Sequence, residues 1–280
     1  MILIDFNGIA IGNIVTQKLG PDENLIRHMI LNSIRMYRAK FHQQYGEIVI
    51  CTDGFKNWRK EVYPEYKFKR KDARKQSKMD WNEIFRIINM VLEEIKENFP
   101  YKVVEVEEVE ADDIIAALCE DTQEFGRNQP VLIISKDEDF VQLQKFSNVS
   151  QFTPQTKKFI KEDNPRKAKL ELILKGDQAH DIPNVLSPDN TFTDGIRQKP
   201  LRQNIIDQLI DDHHCMGEEV YRNFLRNKKL IDLEECPKHL KEKIIYNYES
   251  QDKTENKKKV FNYLVAKRCR RLLEDVKDFI

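Results

Sequence analysis

Three short apolar runs, each leading into an acid, constrain the fold of this chain more than any other feature. Ile2-Leu3-Ile4 leads into Asp5, Ile48-Val49-Ile50-Cys51 leads through Thr52 into Asp53, and Val131-Leu132-Ile133-Ile134 leads through Ser135 towards Asp137. Runs this short and this uniformly apolar suit strands buried on both faces, as in a parallel sheet covered by helices. Helical periodicity from about Asn24 to Phe41 (Leu25, Met29, Ile30, Ile34, Tyr37) supplies the crossover between the first two. The expected fold is α/β, a mostly parallel central sheet flanked by helices. Ligands of such sheets gather at the carboxyl ends of the strands, so Asp5 and Asp53 are expected to face one crevice.

The rest of the chain continues the pattern and then leaves it. Trp81 to Phe99 reads as an amphipathic helix stopped by Pro100, and Lys102 to Val106 as a strand. The stretch Val109-Glu110-Ala111-Asp112-Asp113-Ile114-Ile115-Ala116-Ala117-Leu118 opens a helix with three carboxylates. At about 100° per residue, Ala111, Ile114, Ile115 and Leu118 share a buried face, Glu110 and Asp112 fall at its edges, and Asp113 points away. Acids in a first helical turn often only complement the helix dipole; acids at the ends of other strands are what raise their interest. After Ser135, a locally extended loop would turn Asp137 and Asp139 one way and Glu138 the other. Val149 to Phe152 suggests another strand, and Asn164-Pro165 a capped helix start running to Leu174. Beyond Gly176 come short helical patterns at Gln203–Ile210, Glu218–Leu225, Lys238–Tyr246 and Lys257–Leu273, joined by polar linkers. The expected organisation is an α/β domain over residues 1–175 and a helical subdomain over 176–280.

Composition narrows the classes. The 280 residues carry 47 basic and 47 acidic side chains, which argues against binding nucleic acid by bulk charge but not against segregated patches. One patch is plain: Lys56 to Lys78 holds ten Lys/Arg against three acids, with Trp58, Tyr63, Tyr66 and Phe68 interleaved. A solvated helix or loop explains most charge runs. Aromatics among the cations suit base stacking beside phosphate contacts, and nucleic-acid binding is the favoured reading. The five cysteines have no paired or zinc-type spacing, which suggests free thiols in a reducing compartment. No apolar stretch reaches membrane-spanning length, so a soluble, cytoplasmic protein is expected.

The acids at crevice-facing positions are Asp5, Asp53, Glu110, Asp112, Asp137 and Asp139. So many carboxylates cannot stay ionised together without counter-charge. Oxygen-only ligation points to Mg²⁺, with Mn²⁺ able to substitute, rather than zinc. Two such ions would support in-line phosphodiester hydrolysis, one activating water and one stabilising the leaving oxygen. There is no Walker loop, no Gly-x-Ser-x-Gly elbow and no Gly-x-Gly-x-x-Gly, which weakens nucleotide hydrolase, acyl transferase and dehydrogenase readings.

Together these residues resemble the flap endonuclease, or structure-specific 5′ nuclease, family. Trp58-Arg59-Lys60-Glu61-Val62-Tyr63-Pro64-Glu65-Tyr66-Lys67-Phe68-Lys69-Arg70 is similar to that family's arch segment, here placed at about 55–80, and Glu110-Ala111-Asp112-Asp113, Ser135-Lys136-Asp137-Glu138-Asp139-Phe140 and Gly176-Asp177 to its metal motifs, in order. The resemblance covers nearly the whole chain. It implies a 5′→3′ nuclease of DNA and RNA:DNA duplexes and 5′ flaps that removes RNA primers in replication, with two Mg²⁺ ions and 5′-phosphate products. It implies that Asp5, Asp53, Glu110, Asp112, Asp137, Asp139 and Asp177 hold metal, with Asp112 rather than Asp113 as direct ligand. It implies further that Lys67 and Arg70 act on the scissile phosphate, that Tyr66 stacks on a displaced base, that Arg59, Lys60, Tyr63, Lys69, Lys71, Arg74 and Lys75 help hold nucleic acid, and that the helical subdomain over 176–280 grips duplex DNA. A sliding clamp and a single-stranded-DNA-binding protein are the partners it suggests for a monomer, the clamp by way of the amphipathic tail Leu272–Ile280, whose simpler role is packing on its own bundle.

One departure stands out. Where the family has a second acid after Gly-Asp, this chain reads Gly176-Asp177-Gln178-Ala179-His180-Asp181-Ile182-Pro183. Three outcomes are open: His180 takes the outer metal position, Asp181 reaches it after a small backbone shift, or the second ion binds more weakly. The last is favoured; Asp181 as a mere turn cap is at least as plausible. Two other functions compete with the nuclease reading, a single-strand ribonuclease of the related small acidic-site type, and a non-catalytic nucleic-acid or clamp-binding module with a decayed site.

Overall fold

The computed structural model describes residues 1–17, 20–212 and 216–280, without the side chains of Lys71 and Phe125. Among these, six strands form one sheet: β1 (Ile2–Asp5), β2 (Ile48–Cys51), β3 (Lys102–Val104), β4 (Val131–Ile134), β5 (Val149–Thr153) and β6 (Lys158–Ile160). Their order is β3-β2-β1-β4-β5-β6; all neighbours are parallel except the edge pair β5–β6. β1 is central, with Asp5 level with Cys51 on one side and Ile4 level with Ile134 on the other. Period-two alternation then sorts the side chains between two cores. Ile2, Ile4, Leu132 and Ile134 join one face, Leu3, Val49, Val131 and Ile133 the other, all completely or almost completely buried.

The first face is covered by α1 (Phe6–Thr16), α2 (Glu23–Tyr45) and α5 (Trp81–Asn98), the second by α6 (Ala111–Asp121). α1 has no sequence-based counterpart. Its two glycines and β-branched residues are poor helix formers, yet Asp5 caps it by accepting from the Gly8 amide at 2.8 Å and Ile9, Ala10 and Ile14 are buried. Gly8 is required here: a Cβ would stand 2.2 Å from the Asp5 carboxylate. The basic segment folds into α3 (Trp58–Val62) and α4 (Lys69–Gln76). The loop after β4 is not extended but coils as a 3₁₀ helix over Glu138–Lys145.

The C-terminal region is helical, with α7 (Pro165–Lys175), α8 (Gln203–Asp211), α9 (Glu218–Ile231), α10 (Lys238–Glu249), α11 (Val260–Ala266) and α12 (Arg270–Leu273). The single helix expected over Lys257–Leu273 is instead a 3₁₀ turn and two short helices, broken where Arg268 takes a left-handed φ of 55°. Packing does not respect a division near Lys175. Leu240 and Ile244 of α10 belong to the α6 core, and Val260, Leu264, Leu272 and Phe279 to the core under α2 and α5. A buried ionic knot ties these together: Arg27 donates to Glu94 from both Nε (2.8 Å) and a terminal nitrogen (3.1 Å), and Glu94 also accepts from Tyr263 Oη (2.8 Å) and pairs with Lys267. Phe279 is fully buried and its carbonyl accepts from Tyr101 Oη, so the tail packs against the α/β layers. Cys51, Cys119, Cys236 and Cys269 are buried free thiols; Cys215 lies outside the described residues.

Candidate metal centre and nucleic-acid cleft

The strand order reverses between β1 and β4, the switch point at which open α/β sheets bind ligands. Four loops deliver acid there. Asp5 ends β1; its Oδ1 accepts from Gly8 and its Oδ2 from the Ser135 hydroxyl at 2.9 Å. Asp53 follows β2 and accepts from the Ala111 amide (2.9 Å) and Asn7 Nδ2 (3.1 Å), which seats the start of α6 over the crevice. Asp137 caps the 3₁₀ helix after β4, accepting from the Asp139 amide. Asp137 and Asp139 are half-buried while Glu138 is exposed, and the 3₁₀ backbone replaces the extended loop on which the expected sorting rested.

Electrostatics show how crowded the acids are. Burial pushes Asp5 up to about 6, with Asp53 and Asp137 adding to it. Burial likewise drives Asp112 well above the carboxylate range, reinforced by Asp137, Glu110 and Asp5, and Asp139, reinforced by Asp137 and Asp177. Glu110 goes the other way: burial opposes ionisation, but Lys67 and Arg59 hold it at about 2. The positive charge at the crevice comes from Lys67 and Arg59, both at Glu110, and leaves Asp5, Asp112 and Asp139 crowded. Oxygen donors under mutual repulsion are the set that hard divalent cations satisfy, so these residues fit such ions.

The second end is more compact. Among the described residues, Asp139, Asp177 and His180 form the one group of His, Cys and acidic ligand atoms that all lie within 4.8 Å of one another. His180 Nδ1 is 2.6 Å from Asp177 Oδ2. Asp181 is not in the group. Its residue adopts a left-handed conformation and its carboxylate accepts from the Lys69 amide at 2.8 Å, which secures the basic segment.

Several residues of that segment serve the fold rather than a surface. Arg59, expected to meet nucleic acid, is 2% exposed and grips Asp113 with two hydrogen bonds of 2.8 Å, while its Nε donates to the Leu230 carbonyl. Asp113, expected to point away, is therefore fully buried, because α3 folds over that side of α6. Tyr63 is buried and donates to the Asp189 carbonyl. Tyr66 is buried too, donating to Glu110 at 2.8 Å with its ring against His180, and presents no free face for a displaced base. Lys67, at a left-handed φ of 56°, pairs its ammonium with Glu110 and donates its amide to the His180 carbonyl at 2.9 Å.

The cations left facing solvent line a cleft of about 1040 Å³ running from Asp53 and Glu110 past Lys67 to Trp81 and Phe85. Lys60, Arg70, Arg74 and Lys75 are exposed on its wall, and Lys69 is exposed beside Phe192. The side chain of Lys71 lies outside the described residues. Phe55, 89% exposed at the cleft, is the aromatic that sequence reasoning missed. It directly precedes the basic run, and its place just after Asp53-Gly54 is the signal that could have found it.

Comparison with known proteins finds relatives over almost the whole chain. The family model for the 5′-3′ exonuclease N-terminal resolvase-like domain matches residues 9–170, and that for the T4 RNase H C-terminal region residues 166–279. The chain is 32% identical to ribonuclease H of Enterobacteria phage T4 over 99% of its own length and 95% of that protein. It is 29% identical to a 5′-3′ exonuclease of Buchnera aphidicola over 56% of this chain and 53% of the other. Its fold is that of the bacteriophage T5 flap endonuclease, solved as a pseudo-enzyme–product complex with DNA and metal ions, with a TM-score of 0.63 at 18% identity over 89% of this chain and 99% of that one. The T5 5′-exonuclease with divalent metal ions (zinc) bound matches with a TM-score of 0.60 at 18% identity over 89% of this chain and 97% of that one. With its strand-end carboxylates, its basic segment and both family models spanning it almost end to end, the chain belongs to the 5′-3′ exonuclease family, with a C-terminal region of the T4 RNase H type.

Proposed function

We propose that this protein is a cytoplasmic, monomeric, Mg²⁺-dependent 5′→3′ nuclease that hydrolyses phosphodiester bonds in DNA and RNA:DNA duplexes and in 5′ flaps, leaving 5′-phosphates, and removes RNA primers during replication. The observation that carries this reading is the meeting of a crowded carboxylate crevice with a cleft walled by exposed Lys and Arg. The T4 relative bears the name ribonuclease H, and the T5 neighbour is a flap endonuclease seen with DNA and metal ions.

Asp5, Asp53, Glu110, Asp112 and Asp137 would hold one ion, and Asp139 with Asp177 would hold a second, Mn²⁺ being able to replace Mg²⁺. When bound, such ions supply a water acidic enough to attack at neutral pH and neutralise the leaving oxygen. The protein's own groups do the rest. Ser135 fixes the Asp5 carboxylate by its hydroxyl, and Ala111 and Asn7 fix Asp53. Lys67, positioned at Glu110, and Arg70 on the cleft wall would meet the scissile phosphate, while Lys60, Lys69, Arg74 and Lys75 would neutralise flanking phosphates. Phe55 offers the free ring for base stacking. Because Phe279 is buried, contact with a sliding clamp or a single-stranded-DNA-binding protein would use another surface.

The test is cleavage of a 5′-labelled flap duplex as Mg²⁺ is titrated. Asp112→Asn and Asp137→Asn should each lose on the order of a hundredfold or more in cleavage rate, the scale of removing transition-state charge stabilisation, while DNA affinity in a gel-shift assay stays within about twofold, since affinity rests on the Lys and Arg side chains that neutralise phosphates. Full activity in either variant would refute the assignment.

A further inference from the structure

The two ends of the crevice differ in donor chemistry. Around Asp5, Asp53, Glu110, Asp112 and Asp137 the side-chain ligand atoms are oxygens, the carboxylates together with the Ser135 hydroxyl that meets Asp5. At the other end an imidazole stands with two carboxylates, in the compact group of Asp139, Asp177 and His180.

That imidazole is fixed by its surroundings. His180 is 7% exposed, and its ring lies 5.6 Å from that of Tyr66. Its loop is closed by reciprocal backbone hydrogen bonds between Asp177 and Ile182 (2.9 and 2.8 Å). Gly176, at φ 67°, lets the loop close, since a Cβ there would stand 2.4 Å from the Ile182 carbonyl oxygen. The His180 carbonyl is held by the Lys67 amide at 2.9 Å, and Asp177 is fixed by the Ala179 amide at 2.7 Å. With Nδ1 2.6 Å from Asp177 Oδ2, either both atoms face one ion or Asp177 holds the ring so that Nε2 does. In both arrangements an ion in this group meets a nitrogen.

Carboxylate oxygens suit Mg²⁺ and Mn²⁺, whereas imidazole shifts preference towards borderline ions such as Co²⁺ and Zn²⁺. Resting on the metal-dependent reading above, we infer that the Asp139–Asp177–His180 end selects a borderline divalent transition ion over Mg²⁺, and that the protein assembles a mixed centre with Mg²⁺ at the Asp5 end.

The test is direct binding, with Co²⁺ as probe. Chelator-dialysed full-length protein is titrated with Co²⁺ in the presence of excess Mg²⁺, followed by calorimetry and by the visible absorption of the ion. One equivalent of Co²⁺ should resist Mg²⁺ competition. His180→Asp should weaken that equivalent by about tenfold or more relative to Mg²⁺ and change its spectrum. Asp5→Asn should leave it in place. A second variant, His180→Asn, separates loss of the nitrogen from added charge and should also lose Co²⁺ selectivity. If both His180 variants, folded by circular dichroism, keep the wild-type Co²⁺-to-Mg²⁺ preference and spectrum, the inference is overturned and His180 serves only to hold Asp177. Selective Co²⁺ binding without flap cleavage under any metal would refute the nuclease reading and leave the metal preference standing.

Discussion

Asp112 and Asp113 are neighbours with opposite roles, and the difference is one of counter-charge. Asp113 is fully buried but holds Arg59 through both oxygens, accepts from Trp58 Nε1 at 3.2 Å, and caps the Glu110 amide at 3.1 Å. Asp113→Asn would remove the nearest counter-charge of a buried guanidinium, leaving it only Glu110 at 3.5 Å, and should lower unfolding stability by about 3–5 kcal/mol, measured by urea denaturation. Asp112 sits among like charges, and Asp112→Asn should raise the melting temperature of metal-free protein at neutral pH. A drop there would show that its ionised form is better compensated than the crowding implies. Helical geometry alone puts Glu110 and Asp112 at the two edges of one helix's apolar stripe. It could not see Arg59, a partner 54 residues away, and so left Asp113 outside. Tyr66 misled for the same reason: an aromatic among cations is read as surface until the chain is seen to fold back and donate its hydroxyl to Glu110.

The elements were most legible where a single period was strong and least where tertiary contacts decide. The strands at Ile2–Asp5, Ile48–Cys51 and Val131–Ile134 follow from apolar runs, and α5 from its stripe. α1 is helical despite its composition, because Asp5 caps it and the sheet buries its Ile9 and Ile14. β6 pairs only as an edge strand, with Phe159 packed on Phe41 and Phe152, a contact no local pattern announces. The tail read as amphipathic, but its destination did not. Phe279 meets Phe99 edge to face at 5.4 Å, and Arg35 pairs with Asp275 and Asp278 across α2. Phe279→Ala should therefore cost about 3–5 kcal/mol of stability, as for a buried core aromatic, in chemical denaturation, while the remaining folded protein binds metal as before. Wild-type stability would mean that the tail is only loosely seated.

At the scale of the molecule, an overall charge of zero conceals a strongly divided one: acid is concentrated in the crevice and base along the adjoining cleft. This division gives metal-free protein an unusual pH profile. A carboxyl whose pKa is raised on folding binds more protons folded than unfolded, so stability falls as pH rises through the folded value. Asp5, at about 6, places that fall between roughly pH 4 and 6, on the order of 3 kcal/mol, with Asp112 and Asp139 acting in the same direction. Glu110, at about 2, has the opposite sign, its contribution being lost only as pH drops below about 4.5. Chelated protein should melt at a higher temperature at pH 5 than at pH 7.5, and Mg²⁺ should remove the difference; a flat profile without metal would contradict the crowding. The anchoring of the basic segment carries a separate consequence. Arg59, Tyr63, Tyr66 and the Lys67 amide fasten its first half to α6, α9 and the His180 loop, while α4, from Lys69 to Gln76, stays exposed and rich in Lys and Arg. A single tryptic cut in α4 should leave two polypeptides that elute as one species from gel filtration and part only in denaturant. Asp5 and Asp53 would then belong to one fragment and Glu110, Asp112, Asp137 and Asp139 to the other, so ion binding would become a property of a two-chain complex held together by its own cores.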